Sequence, residues 1–247
     1  MGAVLLVTGG SRGIGAAVVA RAAAAGWDVC LTYRSDEDAA QAVAARAREA
    51  GVTASAVRAD VAVEADVEAA FAAADALGPL GGVVVNAGVV VPRSRVDAMS
   101  AARVAEMLAI NVVGAVVSCR EAVRRLSTAH GGPGGSIVLV GSAASRLGAP
   151  GEYVDYAASK AAVDTLGLGL AKEVADEGVR VNVVRPGIVD TDIHASGGQP
   201  DRVERIGPMV PVGRAGTADE VAAAVAFLLS DEASYCTGSV LDVAGGR

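Results

Sequence analysis

Tyr156 and Lys160 are the residues whose types and spacing point most directly to chemistry. Residues four apart lie on one face of a helix, which would place the phenol one turn from the ammonium. A free phenol has a pKa of about 10, too high for a general base at neutral pH. Lowering that pKa to about 7 requires roughly 4 kcal/mol, which one positive charge at about 4 Å supplies if the effective dielectric is about 20. The pair predicts a tyrosine tuned for proton transfer. Without further motifs, however, a tyrosine and a lysine at this spacing are more often a packed tyrosine beside an exposed lysine.

Length and composition restrict the kind of protein that could carry this pair. The chain has 247 residues, which is enough for one large domain or two small ones with a sizeable core. Hydrophobic residues make up 52% of the chain and aromatic residues only 3%, so the apolar side chains are mostly Ala, Val and Leu and suit helices packed closely on strands. The net charge of −7 argues against binding to a nucleic-acid backbone, because that requires a basic surface.

Metal centres, disulfide frameworks and membrane segments are not expected. The three cysteines are scattered and odd in number, and the only histidines are His130 and His194. The N-terminus lacks the basic region of a signal peptide, and the longest uncharged run, residues 76–92, is interrupted by glycine and proline. We therefore expect a cytoplasmic protein that binds no metal, nucleic acid or membrane.

The N-terminal residues have the pattern of a turn that binds phosphate. Residues 3–7 form a short apolar run typical of a strand buried on both faces, and an apolar helical stretch follows the glycine-rich residues 8–15. Glycines let the backbone approach phosphates, and a helix N-terminus offers free N–H groups and the positive end of its dipole. The spacing Gly9-x3-Gly13-x-Gly15 is not followed by the Gly-Lys-Ser/Thr of a P-loop. It predicts nucleotide binding, with a plain glycine-rich turn as the alternative.

The residues after the second strand indicate which nucleotide is bound. NAD-binding sites usually offer a carboxylate to the ribose 2′-hydroxyl at this point, whereas here the strand ends in Tyr33-Arg34-Ser35. Arg34, together with Arg12 in the glycine turn, would favour a 2′-phosphate because the guanidinium matches phosphate geometry. Asp36 lies late for the ribose and is predicted to cap the following helix. The pattern favours NADP, with NAD as the alternative cofactor.

Strand patterns alternate with helical patterns along the whole chain. This alternation, without a linker or an internal repeat, predicts one α/β domain over residues 1–247, with a doubly wound, seven-stranded parallel sheet of Rossmann type. Residues 191–214 contain several glycines and prolines and little periodicity, which predicts a substrate flap with at most a short helix near residues 201–206. Ligands of such sheets bind at the carboxyl ends of the strands. The strands are predicted at residues 3–7, 28–33, 54–59, 82–85, 136–140, 179–184 and 239–243.

Two long helices are predicted beside the site. One spans residues 100–129 and contains Gly114, which weakens a helix and suggests a functional kink near Asn111. The other spans residues 156–177 and carries the tyrosine–lysine pair. Both helices have more apolar residues than one core face needs, which suggests self-association.

These motifs occur in the order found in the short-chain dehydrogenase/reductase family, which the chain resembles over essentially its whole length. The glycine turn Thr8–Gly15 is similar to the cofactor motif of that family, and Asn86-Ala87-Gly88 to the segment that supports the central strand. The resemblance implies an NADP-dependent oxidoreductase that transfers a hydride to or from a carbonyl or secondary alcohol, usually as a homotetramer. It implies a catalytic tetrad of Asn111, Ser142, Tyr156 and Lys160. It implies cofactor contacts for Tyr156 and Lys160 and for Gly9, Ser11, Arg12, Gly13, Ile14, Gly15, Tyr33, Arg34, Ser35, Asp60, Val61, Asn86, Ala87, Gly88, Pro186, Gly187, Ile188, Val189 and Thr191.

The resemblance and the residue chemistry together imply a role for each catalytic group. Ser142 would hydrogen-bond the substrate carbonyl oxygen, and Tyr156 would donate a proton to it. Lys160 would lower the tyrosine pKa and hold the nicotinamide ribose, and Asn111 would position a water leading from Lys160 to solvent. The substrate pocket is expected to contain Ser94, Arg146, Leu147, Tyr153 and Ile188. His194 is a further candidate for the pocket, but we expect it to be a surface residue of the flap.

Three other functions stay open on the sequence. A 3-oxoacyl-carrier-protein reductase would need a basic docking surface; Arg124 and Arg125 could supply it, but Asp176 and Glu177 have the wrong sign. A non-catalytic NADP-sensing protein would have no use for the tetrad. A methyltransferase-like enzyme with a similar glycine turn would not explain the tetrad either. A small carbonyl or alcohol is therefore the preferred substrate class.

Overall fold

Seven parallel strands form the central sheet of the computed structural model, which describes residues 2–247. In chain order the strands are β1 (Val4–Val7), β2 (Asp28–Tyr33), β3 (Ala54–Arg58), β4 (Leu80–Val85), β5 (Gly135–Val140), β6 (Val179–Pro186), β7 (Val189–Asp190), β8 (Gly216–Thr217) and β9 (Val240–Val243). The central sheet has the order β3-β2-β1-β4-β5-β6-β9, and β7 pairs with β8 separately. Seven main strands were expected, and the short β7–β8 pair is an addition.

Helices cover both faces of this sheet. They are α1 (Gly13–Ala24), α2 (Glu37–Glu49), α3 (Glu64–Asp75), α4 (Ala101–Leu108), α5 (Gly114–Leu126), α6 (Ala144–Leu147), α7 (Val154–Glu173), α8 (Ile193–Ser196), α9 (Arg202–Ile206) and α10 (Ala218–Leu229). Helices α1, α2 and α10 pack on one face, and α3, α5 and α7 pack on the other. The predicted doubly wound Rossmann-type fold is confirmed.

The burial of β1 explains why its sequence is apolar without alternation. All four residues of β1 are fully buried. Leu5 and Val7 join the core under α1, α2 and α10, whereas Val4 and Leu6 join the core under α3, α5 and α7. A strand covered by helices on both faces has no solvent side, so polar residues are excluded from every position.

The strand order reverses between β1 and β4, which lie side by side at the centre of the sheet. The connections from their carboxyl ends lead to opposite sides, so a crevice opens there, and ligands of doubly wound sheets bind in it. The turn after β1 and the segment after β4 meet at this point, where the Asn86 side-chain amide donates to the carbonyl oxygens of Thr8 and Gly9, each at 2.9 Å.

The long helix predicted over residues 100–129 consists of α4 and α5 joined by a π-helical turn, Ala109–Val113. The irregularity therefore precedes Gly114 and includes Asn111. Gly114 has a different reason to be glycine, because a Cβ there would lie 2.8 Å from the carbonyl oxygen of Val61. The glycine permits close packing of α5, and the π turn supplies the distortion.

The helix that carries Tyr156 and the segment 191–214, called the flap, also differ in detail from their predictions. Helix α7 begins two residues before Tyr156 and ends at Glu173, and a separate 3-10 turn follows at Ala175–Glu177. The flap contains α8 as well as the expected α9. Its two ends are joined by the pairing of β7 with β8, which fixes the base of the flap on the body of the fold.

The segment Ala101–Leu126 is the one helix among the described residues that is long and apolar enough to cross a membrane, by length and composition alone. The core helix of a globular protein passes the same test. Here Met107, Cys119 and Leu126 are buried. The segment thus serves as a core helix of this fold.

Candidate active site

Helix α7 presents Tyr156 and Lys160 toward the end of β5, where Val140 ends the strand and Ser142 follows. Lys160 is only 5% exposed, and its Nζ donates a 2.8 Å hydrogen bond to the carbonyl oxygen of Val140. The same Nζ lies 5.9 Å from the centre of the Tyr156 ring. The predicted neighbourhood of phenol and ammonium is therefore present, and the ammonium is seated on the backbone of β5.

The Tyr156 phenol is in its neutral form at physiological pH. Burial raises the pKa of Tyr156 above its usual value, while a hydrogen bond with Ser142 acts in the lowering direction. Burial is the larger of these two effects. The net shift is therefore upward, opposite to the lowering predicted from the spacing of Tyr156 and Lys160. Ser142 Oγ also accepts a bond from the backbone N–H of Ala144 at 3.1 Å, which orients the hydroxyl. A protonated phenol beside an oriented hydroxyl is a proton donor rather than a base.

Burial shifts the pKa of Lys160 in the opposite direction. Burial lowers the pKa of Lys160 to about 8, and the negative charge of Asp164, one turn further along α7, acts to raise it. The amine is therefore protonated at neutral pH and loses its proton in mildly alkaline solution. This is a large change for a side chain that is ordinarily charged up to about pH 10.

Asn111 connects the π turn to both the sheet and α7. Its Oδ1 accepts from the backbone N–H of Val89 at 2.8 Å, and its Nδ2 donates to the Val89 carbonyl at 3.0 Å and to Ser159 Oγ at 3.1 Å. The side chain is 1% exposed. These bonds fix the segment after β4 against α7. The role in positioning a water stays a prediction, since protein atoms already engage the amide group.

The glycine turn is shaped so that its own backbone can approach a ligand closely. Gly9 has a φ of +65°, a conformation that suits glycine. A Cβ at Gly15 would lie 2.2 Å from the Gly9 carbonyl oxygen and 2.7 Å from Asn86 Nδ2. Only glycine fits at residue 15, and the first residues of α1, Gly13–Gly15, line the cleft. This geometry fits a pyrophosphate.

Two adjoining cavities form one cleft across the carboxyl ends of the strands. The smaller, about 240 Å³, lies at the glycine turn, and the larger, about 420 Å³, lies at Tyr156. Every residue predicted to contact a cofactor lines one cavity or the other. Asn111, by contrast, lines neither cavity. Five residues belong to both cavities, namely Ile14, Asn86, Gly88, Thr191 and Ile193.

The far end of the smaller cavity is rich in exposed arginine. Arg12 and Arg34 line it, and Arg58, at the end of β3, donates from Nε to the carbonyl oxygen of Arg34 at 3.3 Å. All three guanidinium groups are exposed. Arg58 could not be included from sequence patterns, because it is the parallel pairing of β2 with β3 that places it opposite Tyr33, next to Arg34. Asp36 Oδ1 accepts from the Ala39 N–H at 3.0 Å, which confirms it as a helix cap.

The larger cavity has a mixed lining in which apolar side chains predominate. Leu147, Tyr153 and Ile188 line it as predicted, whereas Ser94 and Arg146 do not. His194 also lines it, although a surface position was expected. His194 is part-buried, and its Nε2 lies 2.9 Å from the Val189 carbonyl oxygen, so it is not a free surface residue. Burial lowers the pKa of His194. Further residues that line this cavity are Val90, Pro150, Glu152, Ile193, Arg202 and Arg247.

A polar cluster joins the flap to the segment before α7. Arg202 Nη2 pairs with Glu152 at 2.8 Å, and its guanidinium carbon lies 5.3 Å from the centre of the Tyr153 ring. The Tyr153 hydroxyl donates to the carbonyl oxygen of Gly197 at 3.2 Å and also accepts a bond from Gln199. The tyrosine that lacks a lysine partner thus anchors the flap. No local spacing relates residues 152 and 202, so sequence patterns could not reveal this contact.

Asp164 and Arg185 form a second pair that the sequence did not reveal. Arg185 Nε donates to Asp164 Oδ2 at 3.0 Å, which joins α7 to the end of β6 just before Pro186-Gly187. Within residues 2–247, no group of three or more His, Cys, Asp or Glu side chains is arranged to hold a metal ion.

Comparisons with known proteins agree with this geometry. A family model described as enoyl-(acyl carrier protein) reductase matches residues 9–247. The uncharacterized oxidoreductase YgfF of Escherichia coli is 50% identical over 99% of this chain and 100% of its own length. The 3beta-hydroxysteroid dehydrogenase 1 of Eggerthella lenta is 39% identical over 99% of this chain and 93% of its own.

A solved short-chain dehydrogenase from Burkholderia cenocepacia in complex with NADP superposes with a TM-score of 0.89. It is 35% identical, and the match covers 98% of this chain and 96% of that one. The family model matches nearly the whole chain, and these relatives are at least 35% identical over 98% of it or more. The chain belongs to the short-chain dehydrogenase/reductase family of oxidoreductases.

Proposed function

We propose that this oxidoreductase transfers a hydride between NADP(H) and the carbonyl or secondary alcohol of a small molecule. The observation that carries the proposal is a single cleft in which Ser142, Tyr156 and Lys160 line the larger cavity, directly beside the cavity of the glycine turn. A hydroxyl, a phenol and an amine gathered beside a dinucleotide-shaped crevice have a use in carbonyl reduction. The same three groups would have no use in a protein that only binds a nucleotide.

Each of these side chains has one task in the proposed reaction. NADPH, when bound, supplies the hydride. The Ser142 hydroxyl holds the substrate carbonyl oxygen, and Tyr156 gives its proton to that oxygen. Because burial keeps the phenol neutral by raising its pKa, Tyr156 is in the donor form for reduction. Lys160, protonated below about pH 8, stabilises the phenolate that remains by charge attraction.

NADP is the proposed cofactor in preference to NAD. Arg12 and Arg34 line the far end of the cleft, and Arg58 supports Arg34 through its backbone. Guanidinium groups in this position suit a ribose 2′-phosphate, and the nearby Asp36 is engaged as the cap of α2. A solved relative was crystallised with NADP, which supports the same assignment.

The proposed substrate is a compact carbonyl compound with an apolar body. The larger cavity, about 420 Å³, lies within the size range of small-molecule sites and is lined by Val90, Leu147, Ile188 and Ile193. Residues 191–214 would act as the substrate flap, since α8 covers one side of this cavity. The flap closes on Glu152 and Tyr153, next to the catalytic tyrosine.

Mixing the purified protein with NADPH and a panel of ketones and aldehydes tests the proposal. Loss of NADPH absorbance with at least one carbonyl compound is the expected result, and NADH should be used less well. Binding of NADPH without turnover of any carbonyl would favour a non-catalytic cofactor sensor on the same fold. Failure to bind either nucleotide would overturn the proposal.

The alternative, reduction of a 3-oxoacyl group on a carrier protein, finds less support. Arg124 and Arg125 would have to attract an acidic carrier. Arg124 is paired with Glu121 at 2.8 Å, and Arg125 is paired with both Glu121 and Asp75 at the same distance. Arginines that are neutralised by their own chain attract a partner less strongly.

We also propose that the protein is a cytoplasmic homotetramer. Leu108, Val116 and Leu168 are exposed apolar residues on the segment α4–α5 and on α7. A surface of this kind on two long helices suits helix packing between subunits. Sedimentation at micromolar concentration should give four times the mass of the chain, and a monomer would contradict this.

A further inference from the structure

Asp164 is a buried acid on α7 to which the proposed reaction assigns no part. It is 4% exposed, and its Oδ2 accepts the hydrogen bond from Arg185 Nε at 3.0 Å. Its Oδ1 is also buried and has no hydrogen-bond partner among the described residues. A buried carboxylate oxygen left without a partner is unusual and requires an explanation.

The unpartnered oxygen lies beside the backbone on which Lys160 is seated. Lys160 Nζ donates to the Val140 carbonyl oxygen at 2.8 Å. A Cβ on the next residue, Gly141, would lie 2.7 Å from Asp164 Oδ1. The ammonium and the carboxylate therefore lie at two adjacent residues, Val140 at the end of β5 and Gly141 directly after it. Glycine at residue 141 is what leaves room for the acid to approach.

Arg185 holds this acid from the opposite side. It is near the end of β6, directly before Pro186-Gly187, and its side chain is 21% exposed. Its other acidic neighbour, Asp242 on β9, is 3.9 Å away and 40% exposed. A distant pair in water contributes little, so the close pair with Asp164 is the one that fixes Arg185.

We propose that Asp164 is a positioning residue that keeps the Lys160 ammonium charged and seated on the Val140 carbonyl, while Arg185 fixes the carboxylate in place. This inference rests on the proposed function of Lys160. Its effect is exerted through charge, because the carboxylate favours the protonated amine in a site where burial disfavours it. Oδ1, which makes no hydrogen bond, lies next to Gly141, one residue from the carbonyl that accepts from Lys160.

Apart from Asp164 and its partner Arg185, the groups around Lys160 carry no charge at neutral pH. Helix α7 contributes the neutral phenol of Tyr156, the π turn contributes the amide of Asn111, and the segment after β4 contributes backbone at Gly88. Among the described residues, Asp164 is the one charge that shifts the pKa of Lys160. Replacing that acid should therefore change the titration of the amine directly.

Lysine-selective carbon-13 labelling can observe this titration, because Lys160 and Lys172 are the only lysines in the sequence. In Asp164→Asn, the NMR titration midpoint of Lys160 should fall by about one pH unit. In Arg185→Gln, the midpoint should stay or rise, because a positive charge is removed. Both substitutions break the same pair, so a purely structural role would move the midpoint equally in both variants or in neither.

Glu173→Gln is the matched control, since it neutralises an exposed acid on the same helix. Thirteen residues of helix place it about 20 Å from Lys160, beyond the Debye length of about 10 Å, so the Lys160 midpoint should not change. If Asp164→Asn does not fold, the double variant with Arg185→Gln leaves no unpaired buried charge and is compared with Arg185→Gln alone.

An unchanged Lys160 midpoint in the Asp164 variant, or an equal fall in the Arg185 variant, would overturn the inference. The titration needs neither substrate nor cofactor. A midpoint shift without carbonyl turnover would therefore refute only the proposed function, and turnover without a shift would refute only the role of Asp164.

Discussion

The two ends of the cleft are built by different means. At the glycine turn, the groups that would meet a dinucleotide are backbone amides and the exposed side chains of Arg12 and Arg34. At the Tyr156 end they are side chains, of which Ser142 and Tyr156 are part-buried and Lys160 is 5% exposed. Exposed charges act through water and are screened by salt, whereas buried charges are not. We therefore expect recognition to be spread over many weak contacts and chemistry to be concentrated in a few groups.

Removing the phenol oxygen of Tyr156 should have the largest effect on the rate of carbonyl reduction. Tyr156→Phe is expected to lower kcat by about 10²- to 10⁴-fold, the usual contribution of a general acid. Binding of NADPH should persist, because the glycine turn and the arginines lie at the other end of the cleft. Initial rates of NADPH oxidation give kcat, and fluorescence of the bound cofactor gives Kd.

Tyr235→Phe provides the matched control, since this tyrosine is fully exposed at 102% and lies outside both cavities. It should retain the wild-type kcat. A Tyr156→Phe variant with a kcat within a few-fold of wild type would show that another group donates the proton. Loss of NADPH binding in that variant would mean that the two ends are not independent.

The second largest effect should come from the buried amine of Lys160, which should change how the free energy of unfolding depends on pH. The pKa of Lys160 falls from 10.5 in the unfolded chain to about 8 in the folded one. Between these values the unfolded chain binds more protons, so the contribution of this group to stability rises with pH and is complete near pH 10.5. At about 1.36 kcal/mol per unit, the rise is up to about 3 kcal/mol.

Lys160→Met should therefore lose this rise, and its free energy of unfolding relative to wild type should decline between pH 8 and 10.5. Urea unfolding at a series of pH values measures the difference. Lys172→Met removes an exposed lysine from the same helix, and its curve should run parallel to that of wild type. Parallel curves for both variants would mean that Lys160 is not perturbed by burial.

The contrast between the two ends also explains what the sequence could predict. The glycine turn is a local pattern, because its glycines are spaced within one strand–turn–helix unit and each has a steric reason to be glycine. The tetrad residues were placed by motif order in the same way. The positions after each strand were likewise predictable, since parallel strands end at one edge of the sheet.

The second layer at the Tyr156 end could not be predicted in this way. Asp164 meets Arg185 across 21 residues of sequence, and Glu152 meets Arg202 across a longer interval. Such pairs depend on how helices pack on the sheet, and neither residue of a pair carries a local signal. The π turn is similar, because a shift in hydrogen-bond register leaves no mark in composition, and Gly114 suggested a kink for the wrong reason.

At the glycine-turn end, single substitutions should have smaller effects. Arg34→Ala is expected to raise KM for NADPH by about tenfold or more, the effect of losing one hydrogen bond to a charged group. KM for NADH and kcat should change little, because NADH has no 2′-phosphate. Arg46→Ala removes an exposed arginine from α2, away from the cleft, and should leave both constants unchanged. Equal losses with NADPH and NADH in Arg34→Ala would contradict the assignment.

Added salt should produce the smallest change in the kinetic constants. It should also distinguish the two ends of the cleft, because it should change KM for NADPH and not kcat. Raising ionic strength from about 0.1 M to 1 M shortens the Debye length from about 10 Å to about 3 Å, which screens exposed arginines from a phosphate. KM for NADPH should rise severalfold, whereas kcat should hold, because Lys160 and its surroundings are buried. The salt effect on KM should be weaker for NADH and weaker again in the double variant Arg12→Ala/Arg34→Ala. If kcat fell with salt as steeply as KM rose, the groups that perform the chemistry would be as exposed to solvent as those that bind the cofactor.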